Sequence, residues 1–355
     1  MRAKKLITLV LLTVFVAPSF VFADESDRNV KVATYNMYPG TEFSGIFQAQ
    51  SDFEVLLEVS EAFSDVHASS VPERIDEIAD QIATNQPDIV GLQEVALWKI
   101  GPYNPGADAD TVVFDFLQML LDRLAARGAN YAAISVQENL TAELPGIFGP
   151  NFPADLRDVR YTDRVVILAR TDLPTSEFKI ENAANGSFQN LLSVSVLGTN
   201  IPVTRGWTSA DIKHRGKTYR FVNAHLESFV EYFQILQAHE VVAGPANTDL
   251  PLIVAGDFNS DPDLNSTAYD TLVSSGLSDA WTSTNAGSAG FTWALSAELP
   301  SVLLAPDQRV DLVLSRGAIT AASSELLGEE AGDLTPSSFR PSDHAGLAAS
   351  FVLHP

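Results

Sequence analysis

The sequence predicts a layered α/β sandwich, and three observations carry that prediction. Short apolar runs recur along the chain, amphipathic helical patterns lie irregularly between them, and no repeat of fixed period is present. The runs that read as buried strands are Val30 to Tyr35, Ile89 to Leu92, Val165 to Leu168, Tyr219 to Asn223, Leu252 to Ala255, Val310 to Leu314 and Leu347 to Val352. Helical spacing predicts a helix over Pro72 to Ala83, with Ile75, Ile78, Ala79 and Ile82 on one face, and another over Val112 to Leu124, with Phe116, Leu120 and Leu124 likewise. Phe229 to Val242 reads as a third helix and Ser266 to Ser274 as a shorter one. Two long segments look irregular, Glu143 to Thr162 and Ser283 to Asp307. Loops of that length in a compact domain usually serve a function, so the first is expected to border a cleft.

The chain opens Met1-Arg2-Ala3-Lys4-Lys5, continues through an apolar run from Leu6 to Val16, and reaches Val21-Phe22-Ala23 before Asp24. A charged start, a short apolar centre and a small-residue exit predict an export signal over residues 1 to 23, and a secreted or periplasmic protein. The run is shorter than the ~20 residues of a membrane span, so no transmembrane segment is expected. Removing the signal leaves 332 of the 355 residues and, with the loss of Arg2, Lys4 and Lys5, a formal charge of −26 in place of −23. That length can bury one large core, and no low-complexity linker divides it, so residues 24 to 355 are expected to form a single domain and a monomer. The chain has no cysteine. Thiol nucleophiles, thiolate zinc sites and stabilising disulfides are therefore excluded. The acidity weighs against broad electrostatic capture of nucleic acid, which draws its strength from Lys and Arg. It does not weigh against a cleft whose carboxylates hold a divalent cation.

Polar residues follow strand-like runs at four places: Asn36 after Val32-Ala33-Thr34-Tyr35, Glu94 after Gly91-Leu92-Gln93, His225 after Phe221-Val222-Asn223-Ala224, and Asp257-Phe258-Asn259 after Val254-Ala255-Gly256. Strand ends are where a sheet presents side chains to a shared crevice. Arg309-Val310-Asp311 and Ser342-Asp343-His344 come later, the second just ahead of the last predicted strand.

In this order, the segments Thr34-Tyr35-Asn36, Gln93-Glu94-Val95, Asn223-Ala224-His225-Leu226, Gly256-Asp257-Phe258-Asn259, Arg309-Val310-Asp311 and Ser342-Asp343-His344 resemble the endonuclease/exonuclease/phosphatase superfamily, which includes deoxyribonuclease I and the bacterial sphingomyelinases. The resemblance implies a deoxyribonuclease I-like fold, a four-layer αββα sandwich of two mixed β-sheets flanked by helices. It implies a metal-dependent hydrolase of phosphoric esters, with Glu94 holding Mg²⁺ and Asn36 and Asp343 as further metal ligands; Mn²⁺ and Ca²⁺ are the alternative ions. It also gives His344 an orienting carboxylate in Asp311 and places His225 across the phosphate. Tyr161-Thr162-Asp163-Arg164 resembles the deoxyribonuclease I stretch whose acid pairs with that second histidine, so Asp163 is the expected partner of His225 and Tyr161 a substrate contact. Asp257 would position the attacking water and Asn259 would donate to a phosphate oxygen. The formal base, Asp257 or the His344–Asp311 pair, stays open.

These residue types also suit phosphoester hydrolysis on physical grounds. Cleavage builds negative charge that a hard cation with oxygen ligands stabilises, and a carboxylate beside an imidazole fixes its tautomer. Asp257 and Asn259 lie two apart, which on an extended segment would aim both side chains the same way, although Gly-Asp-Phe-Asn-Ser also suits an Asx turn. His67, His214, His239 and His354 have no such context. Ala96 stands where deoxyribonuclease I-like enzymes place an arginine for the DNA minor groove, which lowers the expectation of a double-stranded DNA nuclease. No clear membrane-seeking aromatic hairpin is present, and Phe148 and Phe152 are the candidate anchors. The expected substrate is thus a phosphodiester, either nucleic acid or phospholipid headgroup. A phosphomonoesterase on inositol phosphates or other small phosphates, and an inactive exported binding protein, are the alternatives.

Overall fold

A computed structural model describes residues 29–264, 267–293 and 306–355. The expected export signal, Ser266, and residues 294–305 of the second irregular segment lie outside the described residues. β1 (Asn29–Asn36) leads into α1 (Ser44–Gln48), α2 (Asp52–Ala68) and α3 (Val71–Asn85), then β2 (Ile89–Gln93), β3 (Leu97–Pro102) and β4 (Thr111–Asp115). α4 (Phe116–Ala126) precedes two long strands, β5 (Tyr131–Ile147) and β6 (Leu156–Arg170), followed by β7 (Phe178–Ser187), a small hairpin of β8 (Leu192–Val196) and β9 (Thr199–Val203), then β10 (Gly206–His214) and β11 (Lys217–His225). The remaining elements are α5 (Glu231–Ala243), β12 (Leu252–Asp257), α6 (Thr267–Ser274), β13 (Ser278–Asp279), α7 (Ala280–Thr284), β14 (Asp311–Arg316), β15 (Ile319–Leu327) and β16 (Gly346–Leu353).

The strands form two large mixed sheets. One has the order β15-β16-β1-β2-β6-β3-β4 with β5 paired to β6, and the other β13-β14-β12-β11-β10-β7. Because side chains alternate across a strand, each strand feeds two cores. Val30 and Val32 of β1, Ile167 of β6, Phe221 of β11 and Ile253 of β12 meet between the sheets. Ala33, Tyr35, Val166 and Leu168 face outward onto Ile75, Ile78, Phe116 and Leu120 of the first helical layer. Val222, Val254, Leu312 and Leu314 face outward onto Ala238, Val241, Ala268 and Leu272 of the second. Three apolar layers between four structural ones are the αββα sandwich expected. With ~1.5–3 kcal/mol for each fully buried large aliphatic or aromatic side chain, burial of this extent is the stabilising term in a chain without disulfides. No helix among the described residues is long and apolar enough to cross a membrane.

All seven runs read as strands lie in strands, with β14 starting at Asp311 and not Val310. The differences have local causes. The helix predicted over Val112 to Leu124 begins only at Phe116, because Val112 to Phe114 pair with β3 and the Asp115 carboxylate caps the helix by accepting from the Gln118 N–H. The sequence reading places no helix at α2, where Val55, Val59, Ala62, Phe63 and Val66 make a buried helical stripe and Ser51 caps it. The segment Glu143 to Thr162 is not an irregular loop. β5 and β6 pair from Tyr131↔Arg170 to Ile147↔Leu156, and only the connection between them is irregular. Among the described residues β5 has a ladder partner only in β6, so its Pro145 interrupts no second ladder. The connection folds onto α2, where Phe148 meets Phe63 with ring centroids 5.5 Å apart.

Candidate active site

Strand parity builds the site. The inward face of β1 reads Val30, Val32, Thr34, Asn36; that of β11 Tyr219, Phe221, Asn223, His225; that of β12 Ile253, Ala255, Asp257. β1 runs parallel to β2 and β11 to β12, so these ends gather at one edge of the sandwich. Moving toward that edge, the layer between the sheets changes from hydrocarbon to amide to charge. In the amide layer, Gln93 Nε2 donates to Asn223 Oδ1 at 2.6 Å and to Thr34 Oγ1 at 3.0 Å, while Asn223 Nδ2 crosses to the carbonyls of Leu92 (3.1 Å) and Val166 (2.9 Å). Gly91 makes this crossing possible, since a Cβ there would stand 2.7 Å from Asn223 Cγ.

Above the amide layer lies a cleft of about 430 Å³ whose lining includes Glu94, Tyr161, Asp163, Arg205, His225 and Asp257. Asn259, Asp343 and His344 line it as well. Asp257 is central. Its Oδ2 accepts from Asn36 Nδ2 at 2.9 Å and stands 3.5 Å from His225 Nε2 and 3.8 Å from His344 Nε2. Burial, then the charge of Asp311, push its carboxyl up to about 6. Asp311 faces Asp257 across the β12–β14 ladder and accepts from His344 Nδ1 at 2.8 Å. Burial works against a charged His344 ring, but Asp311 first, then Asp343 and Asp257, outweigh it and hold the ring well above the usual histidine range. Ser342 fixes this loop: its hydroxyl donates to the Asn36 carbonyl at 2.7 Å and accepts from the His344 N–H.

His225 differs from expectation. Asp163 does not hold it: Asp163 Oδ2 accepts from Asn139 Nδ2 at 3.0 Å, and Arg205 lies between the two residues, 4.0 Å from Asp163 and 3.1 Å from His225 Nδ1. A guanidinium only donates, so Nδ1 accepts and the proton of the neutral ring sits on Nε2. Burial, the Arg205 charge and His344 keep the ring well below the usual range, hence neutral. The second expectation that fails concerns Asn259. Its φ is +50° and its N–H donates to Asp257 Oδ1 at 2.9 Å, so the Asx turn wins over the extended segment. Asn259 Nδ2 donates one hydrogen to the Leu226 carbonyl, which leaves the other for a ligand. Tyr161 presents its ring to the cleft, with its centroid 4.8 Å from those of both Phe43 and Trp98.

Glu94 follows β2 with φ +53°, a left-handed turn that aims its carboxylate at the cleft, 4.0 Å from His225 Nε2. Burial, then the nearby Asp343 carboxylate, push it up to about 8, and burial also raises Asp343. Two mutually repelling carboxylates beside the Asn36 amide are a hard-oxygen donor set that fits a divalent cation, whose charge would return Glu94 to its ionised form. Ligand atoms of Asp257, Asp311 and His344 also lie within 4.8 Å of one another. There, however, His344 Nδ1 is already bonded to Asp311 Oδ2, so the carboxylates of Glu94 and Asp343, with the Asn36 amide oxygen that also accepts from the Tyr38 N–H, are the candidate ligands.

The model of the endonuclease/exonuclease/phosphatase family matches residues 63–344. The chain belongs to that family. Among solved structures it is similar to an endonuclease/exonuclease/phosphatase family protein from Bacteroides thetaiotaomicron (17% identity, TM-score 0.57, covering 92% of this chain and 95% of that one). It is likewise similar to a family protein from Leptotrichia buccalis (18%, TM-score 0.54, 90% and 98%) and to a mannosyl-6-phosphatase from Bacteroides thetaiotaomicron (18%, TM-score 0.55, 91% and 100%). At such identities the likeness is one of fold. No curated protein matches the sequence.

Several residues that shape the cleft carried little sequence signal. Arg205 precedes β10 in an ordinary Thr-Arg-Gly context, and only packing brings it to His225. Thr292 accepts from the N–H groups of Val310 and Asp311 through its hydroxyl, fixing the start of β14. Arg74 is fully buried and donates to the carbonyls of Ser69, Met37, Tyr38 and Pro341, tying the chain after β1 to the loop before Asp343. A legible trace existed there, because Arg74 lies on the apolar face with Val71, Ile75 and Ile78.

Proposed function

We propose that this protein is an exported, Mg²⁺-dependent phosphodiesterase. The observation that carries the reading is the position of Asp257 between two imidazoles that are held in different ways, Nε2 of His225 at 3.5 Å and Nε2 of His344 at 3.8 Å. Asn36 and the Asn259 N–H fix the Asp257 carboxylate, which is placed to orient water and accept its proton. His225, with its proton on Nε2, donates to a phosphate oxygen, and Arg205 behind it adds positive charge on that side. Asp311 supports a charged His344 opposite, which stabilises the departing oxygen. A divalent cation bound by Glu94 and Asp343 would neutralise charge on the phosphate. Asn259 and Tyr161 contribute to substrate placement, and Asp163 acts through Arg205.

Purified protein assayed with Mg²⁺ or EDTA on bis-p-nitrophenyl phosphate, p-nitrophenyl phosphate, supercoiled DNA, RNA and sphingomyelin tests the reading. Cation-dependent cleavage of diesters supports it. Cleavage confined to the monoester transfers the assignment to a phosphomonoesterase, and no cleavage of any substrate leaves an inactive binding protein. Export is tested separately, by the N-terminal sequence of the secreted form, with a start near Asp24 expected.

A further inference from the structure

An apolar groove opens off the reaction cleft. Phe43, Phe47, Leu140 and Tyr161 line both spaces, so the groove begins beside the ring of Tyr161. α1 supplies Ile46 to it, β5 supplies Ala142, and the β8–β9 hairpin supplies Ile201. Apart from Trp98 and Tyr161, every lining side chain is hydrocarbon or phenyl, and the Trp98 N–H is already given to the Pro39 carbonyl at 3.0 Å. Water there finds few polar partners, whereas a hydrocarbon loses nothing by entering. At the mouth, Phe229 is 59% exposed and meets Phe47 edge-on with centroids 6.1 Å apart, which extends the apolar surface to the rim. A polyanionic strand is a poor occupant of such a path in a chain of net charge −23.

Resting on the phosphodiesterase reading, we infer that the substrate carries a short hydrocarbon group on one ester arm and that this groove receives it. The groove proper encloses about 50 Å³. A cavity of ~150 Å³ is the size known to hold benzene, so the groove takes the end of an alkyl group and not a whole ring or a long acyl chain.

Calorimetric titration of the full protein in MgCl₂ with methyl-, propyl- and pentylphosphonate tests this without requiring turnover. Affinity rises about fourfold for each methylene that enters, the factor corresponding to ~0.8 kcal/mol per buried CH₂, and then levels off. Ala142→Leu, which fills the groove, and Ile201→Ser, on a hairpin outside both large sheets, each flatten that dependence. Affinity independent of chain length, no binding at all, or a dependence that survives Ala142→Leu overturns the inference. Turnover of the matching p-nitrophenyl alkyl phosphates is read in parallel. A length dependence in affinity with no ester cleaved leaves the groove assigned and overturns the phosphodiesterase reading, while cleavage with no length dependence does the reverse.

Discussion

Replacing Arg205 with glutamine perturbs His225 without touching the ring. In the native protein, the guanidinium stands 3.1 Å from His225 Nδ1 and 4.0 Å from Asp163 Oδ2. A unit-charge pair at that separation is worth about 4 kcal/mol at an effective dielectric of 20. The variant leaves Asp163 buried beside Asn139, so the unfolding free energy should fall by about 3 kcal/mol, at the lower end for removing one member of a buried pair. The loss stays below the coulombic value because Asp163, whose carboxyl burial already raises, can take up a proton. Without its donor at Nδ1, the ring can move its own proton between the two nitrogens. ¹⁵N NMR of the imidazole should show Nε2–H in the native protein and a mixture of tautomers in the variant. On bis-p-nitrophenyl phosphate, kcat should drop roughly 100-fold, the lower end for losing one donor to the developing charge. Adding Asp163→Asn should recover part of the stability and none of the tautomer. A native ring protonated on Nδ1, or an Arg205→Gln enzyme within about threefold of native kcat, refutes the reasoning.

Glu94→Gln should weaken Mg²⁺ binding at least about tenfold by calorimetry, since it removes a charged ligand; unchanged affinity would move the cation elsewhere. His225→Ala and His344→Ala should each cost roughly 10²- to 10⁴-fold in kcat, and the double variant far less than the product, because groups acting in one step lose their effects together; multiplicative losses would separate their roles. At Asp211, Arg220 and Asn182 outweigh burial and pull the carboxyl below its usual range. Its contribution, about 1–3 kcal/mol, is therefore full above the unfolded value near 4 and lost as pH falls through the folded one. Asp211→Asn should then be less stable at pH 7 and show a flatter acid limb in urea unfolding, and an unchanged limb would refute the shift.

Much of the fold and of the cleft composition was legible because both follow from period-two alternation in buried strands. Asn36, His225 and Asp257 continue inward-facing apolar series, and a polar residue in such a series must sit where the sheet meets solvent or a partner. Other features depend on packing between distant segments. Arg205 reaches His225 from the start of the neighbouring strand β10, and nothing in Thr-Arg-Gly announces it. The β5–β6 hairpin was hidden because an edge strand tolerates Pro145 and Gly146, the residues that otherwise mark loops. The turn at Asn259 shows local hydrogen bonding prevailing over strand geometry two residues beyond the last ladder pair, Asp257↔Asp311.

The amide layer under the cleft has a consequence for how the two sheets are aligned. Asn36 and Glu94 come from one sheet, and His225, Asp257 and Asp311 from the other. Two greased faces can shift against each other by fractions of a side chain at small cost, and such a slip would pull the carboxylate at Asp257 away from the amide at Asn36. Gln93 and Asn223 act as a key in a keyway: any offset strands buried donors and acceptors at about 1–3 kcal/mol each. Hydrocarbon deeper in the sandwich is thereby relieved of sole charge of the alignment, and an exchange such as Ile253→Val, at a cost of about 0.5–1.5 kcal/mol, leaves the bonds that set the spacing above it in place.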